Sequence, residues 1–523
     1  MSQLLSDSAA TKVAAFVGAA GGRAWFVGGC LRDELLRRTS QDLDIVVPEG
    51  GIRLARAVAK EFGGAFFILD AERDAGRAIL RDAKGQPLDV DVVRMRAPEI
   101  VDDLALRDFT VNAMAREIGS AGGNPAILDP FGGGDDLRNG VLRAVTEHTF
   151  RDDPLRMLRG VRHIAELGFH FEEATFGLIR RDAPLLSATA AERVRDELTR
   201  VIVSPGAWQH LRLMASLGLL EPVLPESAAQ IGVSQSPPHY QDVFDHTRSV
   251  LAHLQAIHAL LWPESGYTRP SALNDDPTVI AGASQWDEVH RVLEPYTGDL
   301  HGHLLQPLGG SRTRRDWLWW AALAHDWGKP GTRSVDEEDR IRFFEHDHWG
   351  AELVRARGGS LRLASDEIAY VARIVELHMR PGYMARDYPP SRRAQYHFFR
   401  DAAGTGPELT LLGLADHLAT RAASPESEQW QRRLDTTAVL LRAFFRDRRT
   451  SVEPAPLLDG HQLMARFDLS PGPSVGRLLA DLRESQAVGE VATLEEAVAW
   501  AADRIVRDRA KEKAEVERRR SDG

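Results

Sequence analysis

Asp42 and Asp44 restrict most strongly what this chain can be. They stand two apart at the start of a strand-like run, Asp42-Leu43-Asp44-Ile45-Val46-Val47, so both carboxylates point to one side of a sheet. Two carboxylates at one point repel unless a cation lies between them, and Mg²⁺, held by a few carboxylates plus phosphate oxygens, is the natural one. Upstream stands Gly28-Gly29-Cys30-Leu31-Arg32-Asp33, between a strand pattern and a helical one. A glycine pair in that place lets the backbone approach a phosphate closely, and Arg32 can reach a triphosphate. Asp89, in Leu88-Asp89-Val90-Asp91-Val92-Val93, offers a third carboxylate on a neighbouring strand. Three such groups can hold two metals about 4 Å apart, the arrangement used for in-line nucleotidyl transfer.

The surrounding pattern predicts a small α+β unit. Trp25–Val27, Leu43–Val47, Ala65–Leu69, Ala78–Arg81 and Leu88–Val93 read as strands and Ile52–Phe62 as a helix. From Arg151 to Glu221 the spacing turns helical, with Leu155, Leu158, Val161 and Ile164 on one face. Pro222, Pro225, Pro237 and Pro238 mark a boundary. Residues 240–445 are again mostly helical, with a Pro-, Gly-, Ser- and Asn-rich stretch near 263–312 that reads as an irregular insertion or long loop. A helical segment follows Pro454 and Pro456, and Arg504 to Gly523 is a highly charged frayed helix or tail.

Further motifs follow the glycine pair and the two aspartates in order: Arg107-Asp108-Phe109-Thr110-Val111-Asn112-Ala113, Asp129-Pro130-Phe131-Gly132-Gly133, Asp152-Asp153-Pro154-Leu155-Arg156-Met157-Leu158-Arg159 and Glu192-Arg193-Val194-Arg195-Asp196-Glu197-Leu198. The series resembles the class II tRNA nucleotidyltransferases and bacterial poly(A) polymerases, within the polymerase-β-like superfamily. Leu106 stands where a second arginine is common in that family. The resemblance implies a multidomain α+β chain: a nucleotidyltransferase head over 1–150, a helical neck over 151–230, and further helical domains. It implies catalytic Asp42, Asp44 and Asp89 with Mg²⁺, and nucleotide contacts from Gly28, Gly29, Arg32, Arg107, Asp108, Asn112, Asp153, Arg156 and Arg159. The expected partners are CTP, ATP and tRNA, the last bound along neck and tail by shape and backbone.

Asp153 and Arg156, three apart, are predicted to share a helix face. A carboxylate accepts from the exocyclic amine of cytosine or adenine while a guanidinium donates to the neighbouring ring nitrogen; G and U present the reverse edge. The resemblance gives these two residues that selecting role. Asp152 is expected to cap the helix.

A second constellation is His246, His325-Asp326, His346, His378 and Asp416. Imidazole and carboxylate together suit Mg²⁺, Mn²⁺ or a transition metal such as Ni²⁺ or Co²⁺, and a metal-bound hydroxide can attack a phosphoester. The order resembles the HD phosphohydrolase superfamily, here spanning 231–445, with a helical tail over 446–523. His348 competes for the place of His346, and the insertion makes His246 the least anchored. HD domains behind such heads imply phosphatase or 2′,3′-cyclic phosphodiesterase activity on RNA ends.

Cys30, the single cysteine, excludes an internal disulfide framework and fits a reducing cytoplasm. No signal-peptide pattern or membrane-spanning apolar run is visible. The net charge of −11 argues against a uniformly basic nucleic-acid-binding surface but allows a local groove. Arginine supplies nearly all the positive charge, with six lysines among 65 basic residues, and it suits bidentate phosphate contacts. Poly(A) synthesis shares the head motifs, but it would be favoured by a long basic C-terminal extension, and the tail here is short and of mixed sign. A head acting only as an RNA-binding module before an active HD domain conflicts with the intact aspartate pair. The short stretch from Arg94 to Arg107 leans toward addition of CC, because full CCA-adding relatives carry a longer flexible loop there.

Overall fold

The computed structural model describes residues 8–82, 85–119, 125–265, 283–420 and 427–521. The chain forms two compact units: Met1–Ser204 with His210–Val223, and Pro205–Gln209 with Leu224–Gly523.

The first unit is built on a six-stranded sheet: β1 (Trp25–Val27), β2 (Asp42–Val47), β3 (Ala65–Asp70), β4 (Ala75–Arg81), β5 (Pro87–Arg94) and β6 (Ala115–Glu117), in the order β3-β4-β5-β2-β1-β6. Only β2 and β5 run parallel; every other neighbouring pair is antiparallel. The expected strands are present, each but β1 extended by one to three residues. Leu43, Ile45, Val46 and Val47 are buried, as a central strand covered on both faces requires. The helix Gly51–Phe62 packs on β4 and β5. Its first N–H groups donate to the Asp74 carboxylate at 2.8–2.9 Å, which satisfies a helix start that has no side-chain cap of its own. Beyond Gly140 the unit is mainly helical, with Leu155–Leu167 burying Leu155, Leu158 and Val161.

Asp153 does not lie on that helix. Its backbone is extended, φ −150° and ψ 100°, and the helix begins at Leu155. Pro154 is the cause, since the ring clashes with a helical residue before it. Asp153, rather than Asp152, accepts from the helix start, through Leu155 N–H at 3.2 Å.

The second unit is a helical assembly. Val243–Leu261 is buried along nearly its whole length and packs against Arg314–Ala324 and Gly406–Leu418. The stretch expected to be irregular is in large part helical: Ala283–Leu293 and Thr297–Leu304 bury Trp286, Val289, Leu293, Leu300 and Leu304. Residues 266–282 lie outside the described residues. The tail comprises Gly460–Phe467, Pro473–Val488 and Leu494–Ser521, closed over Leu458, Leu463, Leu482, Val491 and Ala497. No helix among the described residues is long and apolar enough to cross a membrane.

Candidate active site and candidate metal centre

In the first unit the parallel register sets Asp42 beside Asp89 and Asp44 beside Asp91, so four carboxylates share one sheet face. Asp42, Asp44 and Asp91 line a cavity of about 930 Å³, whereas Asp89 lies outside its lining. Arg77, opposite Asp91 on β4, donates to Asp91 at 2.7 and 2.8 Å and to Asp89 at 2.8 Å. Arg77 thus engages both carboxylates of β5, and what separates them is that Asp91, level with Asp44, lines the cavity while the expected third carboxylate, Asp89, does not. Burial and the charge of Asp89 push the Asp42 carboxyl above its usual range. Burial also raises Asp44, with Arg107 opposing and Asp91 reinforcing the shift. Charge crowded in this way favours a cation.

Gly28 has φ +72°, and a Cβ there would stand 3.1 Å from both Asp44 Oδ2 and Arg107 Nη1. The glycine lets the carboxylate and the guanidinium reach the start of the helix Gly29–Leu35. Arg32 donates to Asp33 at 2.9 Å and to Asn112 Oδ1 at 3.0 Å. Asn112 donates to Asp108 at 3.1 Å, and Arg159 pairs with the same carboxylate at 3.1 Å. Burial alone would raise Asp108, but Arg159, His163 and the Asn112 and Phe109 hydrogen bonds hold it well below the usual carboxylate range. Arg107 lies 3.6 Å from Asp103, and its buried Nε has no hydrogen-bond partner.

Nine arginines and six carboxylates line the cavity. Its size is that of a small-molecule site, and its charge suits a triphosphate accompanied by a cation. Gly28, Gly29, Arg32, Arg107, Asp108, Asn112, Arg156 and Arg159 all line it. Asp153 lines a neighbouring cavity together with Arg156 and pairs with Arg193 at 2.8 Å. The Arg156 guanidinium donates to the carbonyls of Leu106 at 2.7 Å and Thr149 at 3.1 Å.

In the second unit the six expected histidines and aspartates meet. His246 sits in the first turns of Val243–Leu261; His325 and His378 close the helices Arg314–Ala324 and Ser365–Leu377. His346 opens His346–Ser360, and Asp416 lies in Gly406–Leu418. Around Asp326 the Nε2 atoms of His325, His346, His246 and His378 stand at 3.1, 3.6, 3.7 and 3.9 Å. His246 Nε2 is also 2.9 Å from Asp416. His348 is exposed and 3.8 Å from Glu376, so His346 holds the site. Gly328 permits this convergence: a Cβ there would stand 2.0 Å from the His346 carbonyl.

The Nδ1 atoms of His325, His346 and His378 bond the carbonyls of Ala322, Phe343 and Val375 at 2.7–2.8 Å. A carbonyl only accepts, so Nδ1 carries the proton and Nε2 presents a lone pair. Among the described residues, the buried Nε2 atoms of His325 and His346 have no hydrogen-bond partner. Two overlapping triads, His246–His325–Asp326 and Asp326–His346–His378, bring one ligand atom each within 4.8 Å of one another. That donor set fits a divalent metal ion. Sequence reasoning gave no role to three neighbours. Lys329 Nζ stands 2.7 Å from Asp326 and donates to Gln235, His239 stacks edge-on at 4.5 Å from His246, and Arg433 lines the same cavity. Lys329, three residues after Asp326 on a tight turn, carried the only local signal.

Comparison with known proteins identifies the domains that carry these residues. Residues 24–143 match the family model of the poly A polymerase head domain, 168–231 that of the probable RNA and SrmB-binding site of polymerase A, and 291–421 that of the HD domain. A CC-adding tRNA nucleotidyltransferase of Thermus thermophilus is 34% identical over 91% of this chain and 92% of its own. An A-adding tRNA nucleotidyltransferase of Deinococcus radiodurans is 34% identical over 91% and 94%. A solved CCA-adding enzyme with ATP shares the fold at TM-score 0.60 and 19% identity, over 96% of this chain and 98% of that one. The Thermotoga maritima CCA-adding enzyme complexed with tRNA gives 0.54 at 18% identity, over 94% and 95%. Two relatives aligned along nearly their entire lengths, above a matching head and HD domain, establish that this chain is a member of the tRNA nucleotidyltransferase family, with a polymerase head and an HD domain in one polypeptide.

Proposed function

We propose that this enzyme extends the 3′ end of tRNA with release of diphosphate, and that its own step is the addition of two C residues from CTP, with CCA addition from CTP and ATP as the second reading. The observation that carries the transfer reaction is the facing of Asp42, Asp44 and Asp91 into a cavity ringed by arginines. A divalent cation held by Asp42 and Asp44, Mg²⁺ in this reading, supplies charge neutralisation at the triphosphate and lowers the pKa of the attacking hydroxyl. Arg32, Arg107 and Arg159 bind phosphate oxygens, and Asn112 with Asp108 orients Arg32 and Arg159. Asp153 and Arg156 read the base edge, which requires both to leave their present partners, Arg193 and the Leu106 carbonyl.

The CC step is supported by the connection between β5 and Arg107. Arg96 N–H donates to Asp103 at 2.8 Å and Arg96 Nη1 to the Leu106 carbonyl at 3.0 Å, around the short helix Ile100–Ala105. The connection is short and closed on itself in this way, whereas full CCA-adding relatives carry a longer flexible loop between these motifs. A poly(A) polymerase reading is not favoured, because the relatives that align along the whole chain are named tRNA nucleotidyltransferases.

The histidine–aspartate cluster supports a second activity, metal-dependent hydrolysis of a phosphomonoester or 2′,3′-cyclic phosphate at an RNA end. A divalent ion there, Mg²⁺, Mn²⁺, Ni²⁺ or Co²⁺, would supply Lewis-acid activation of water for attack at phosphorus. The four imidazoles with Asp326 and Asp416 would hold it, and Lys329 steadies Asp326. A damaged end would be cleared by one unit and rebuilt by the other, in a cytoplasmic setting.

The test is incorporation of labelled CTP and ATP into tRNA transcripts that lack CCA, end in CC, or carry complete CCA, beside an Asp42→Ala/Asp44→Ala control. Two C residues on the first transcript and nothing on the others establish CC addition. Three-nucleotide extension replaces it with CCA addition, and long A tails would overturn the tRNA reading.

A further inference from the structure

The cavity beside the histidine–aspartate cluster, about 840 Å³, is lined by six cations: Lys329, Arg340, Arg342, Arg386, Arg432 and Arg433. Four have carboxylate partners: Lys329 with Asp326, Arg342 with Asp336, Arg386 with Asp387 and Arg432 with Glu428. Arg340 is exposed to solvent. Arg433 is in neither condition. It is only partly accessible, its Nε is sealed from solvent without a hydrogen-bond partner, and its side chain forms no ion pair among the described residues.

Two glycines make its berth. A Cβ on Gly382 would stand 3.1 Å from Nη2, and one on Gly413 would stand 3.7 Å from Nη1. Gly382 belongs to the helix Arg380–Arg386, and Gly413 lies one turn before Asp416 on Gly406–Leu418. Arg433 itself projects from the helix Glu428–Phe445. The guanidinium therefore occupies a slot between two helices, one of which carries a residue of the cluster. Asp416 is the one carboxylate whose charge acts on it, and burial outweighs that attraction. A largely enclosed guanidinium that makes no ion pair is costly. Such a group is retained most readily where an anion completes it, and guanidinium matches two oxygens of one phosphate.

We infer that Arg433 is the phosphate clamp of this cavity, taking two non-bridging oxygens of a phosphomonoester or cyclic phosphodiester whose phosphorus lies against the histidine–aspartate cluster. The inference rests on reading that cluster as a metal-dependent phosphohydrolase site. Lys329 is a poor alternative clamp, since Asp326 and Gln235 already hold its ammonium.

The experiment is calorimetric binding of inorganic phosphate to the full chain, after chelation and again after loading with Mn²⁺, with bound Mn²⁺ measured by elemental analysis. Arg433→Gln is expected to keep its Mn²⁺ and lose at least about tenfold in phosphate affinity, the size of one lost charge-assisted hydrogen bond. Arg433→Lys should retain part of the binding, because a point charge replaces the fork. Unchanged phosphate affinity in Arg433→Gln with intact Mn²⁺ content overturns the clamp. If Arg433→Gln does not fold, Gly382→Ala, which crowds Nη2, is expected to weaken phosphate binding in the folded chain, and unaltered affinity there overturns it equally. A chain that takes up no Mn²⁺ yet binds phosphate through Arg433 would remove the hydrolase reading and leave the anion site standing.

Discussion

Asp44 and Asp91 stand side by side in the parallel register of β2 and β5, and only Asp91 is gripped by Arg77. One carboxylate of the pair is held from the sheet side, while the other lines the cavity, where burial raises its pKa and the charge of Arg107 opposes that shift. The asymmetry follows from strand order, since β4 neighbours β5 and not β2.

Asp91→Asn and Asp89→Asn should therefore differ. Asp91 shares the cavity with Asp42 and Asp44, so its loss is expected to lower CTP incorporation at least as much as the roughly 10–100-fold that loss of an outer partner costs a metal site. Asp89→Asn removes one arm of the Arg77 bridge at the rim and should stay within about tenfold of the parent. Steady-state incorporation over a Mg²⁺ titration distinguishes them. Equal losses would return Asp89 to the catalytic set.

Gly28→Ala tests the close approach at the first helix. With φ +72° and a Cβ 3.1 Å from Asp44 Oδ2 and Arg107 Nη1, the substitution should cost roughly 1–3 kcal/mol of stability. It should also displace the carboxylate, so that kcat falls further than KM rises. Thermal unfolding and incorporation kinetics on one preparation read both effects. Full activity in a destabilised protein would confine the glycine to a backbone role.

The sequence made legible whatever rests on local spacing. Asp42 and Asp44 share a face because strands alternate with period two, and the His325-Asp326 dipeptide delivers nitrogen and oxygen ligands together. Long-range placement was not legible in the same way. Asp89 and Asp91 obey the same alternation, and only the register and the edge of the cavity separate them. Asp153 was expected on a helix although Pro154 forces it off. The helices Ala283–Leu293 and Thr297–Leu304 were missed because Pro, Gly and Ser around them outweighed the spacing of Trp286, Val289 and Leu293. Arg433 has no motif at all: its slot is made by glycines 20 and 51 residues away in sequence.

Asp153→Ala should change nucleotide choice more than stability. The Asp153–Arg193 pair has side chains 26% and 52% accessible, so its removal is expected to cost no more than about 1 kcal/mol. Discrimination of CTP against UTP should fall by a factor of about 5–150, the worth of one good base-edge pair. Competition assays with mixed triphosphates, alongside tRNA binding, separate the effects. Intact discrimination with normal tRNA binding would sink the reading of Asp153 as a base-selecting residue.

His253, on the helix that also carries His246, gives the second unit a pH dependence. The side chain is buried on Val243–Leu261, its Nδ1 is bonded to the Ser249 carbonyl at 2.7 Å, and its Nε2 has no hydrogen-bond partner among the described residues. Burial pulls its pKa down to about 4. Between that value and about 6.5, the unfolded chain binds a proton that the folded chain refuses, so stability rises with pH through this window and is lost as pH falls through it. The contribution is on the order of 3 kcal/mol at full burial. His253→Phe removes the proton and should flatten the decline in unfolding midpoint of the chelator-treated chain between pH 6.5 and 4. An unchanged slope in that variant would assign the acid sensitivity to other buried histidines, of which His417, also drawn down to about 4 by burial, is the next to replace.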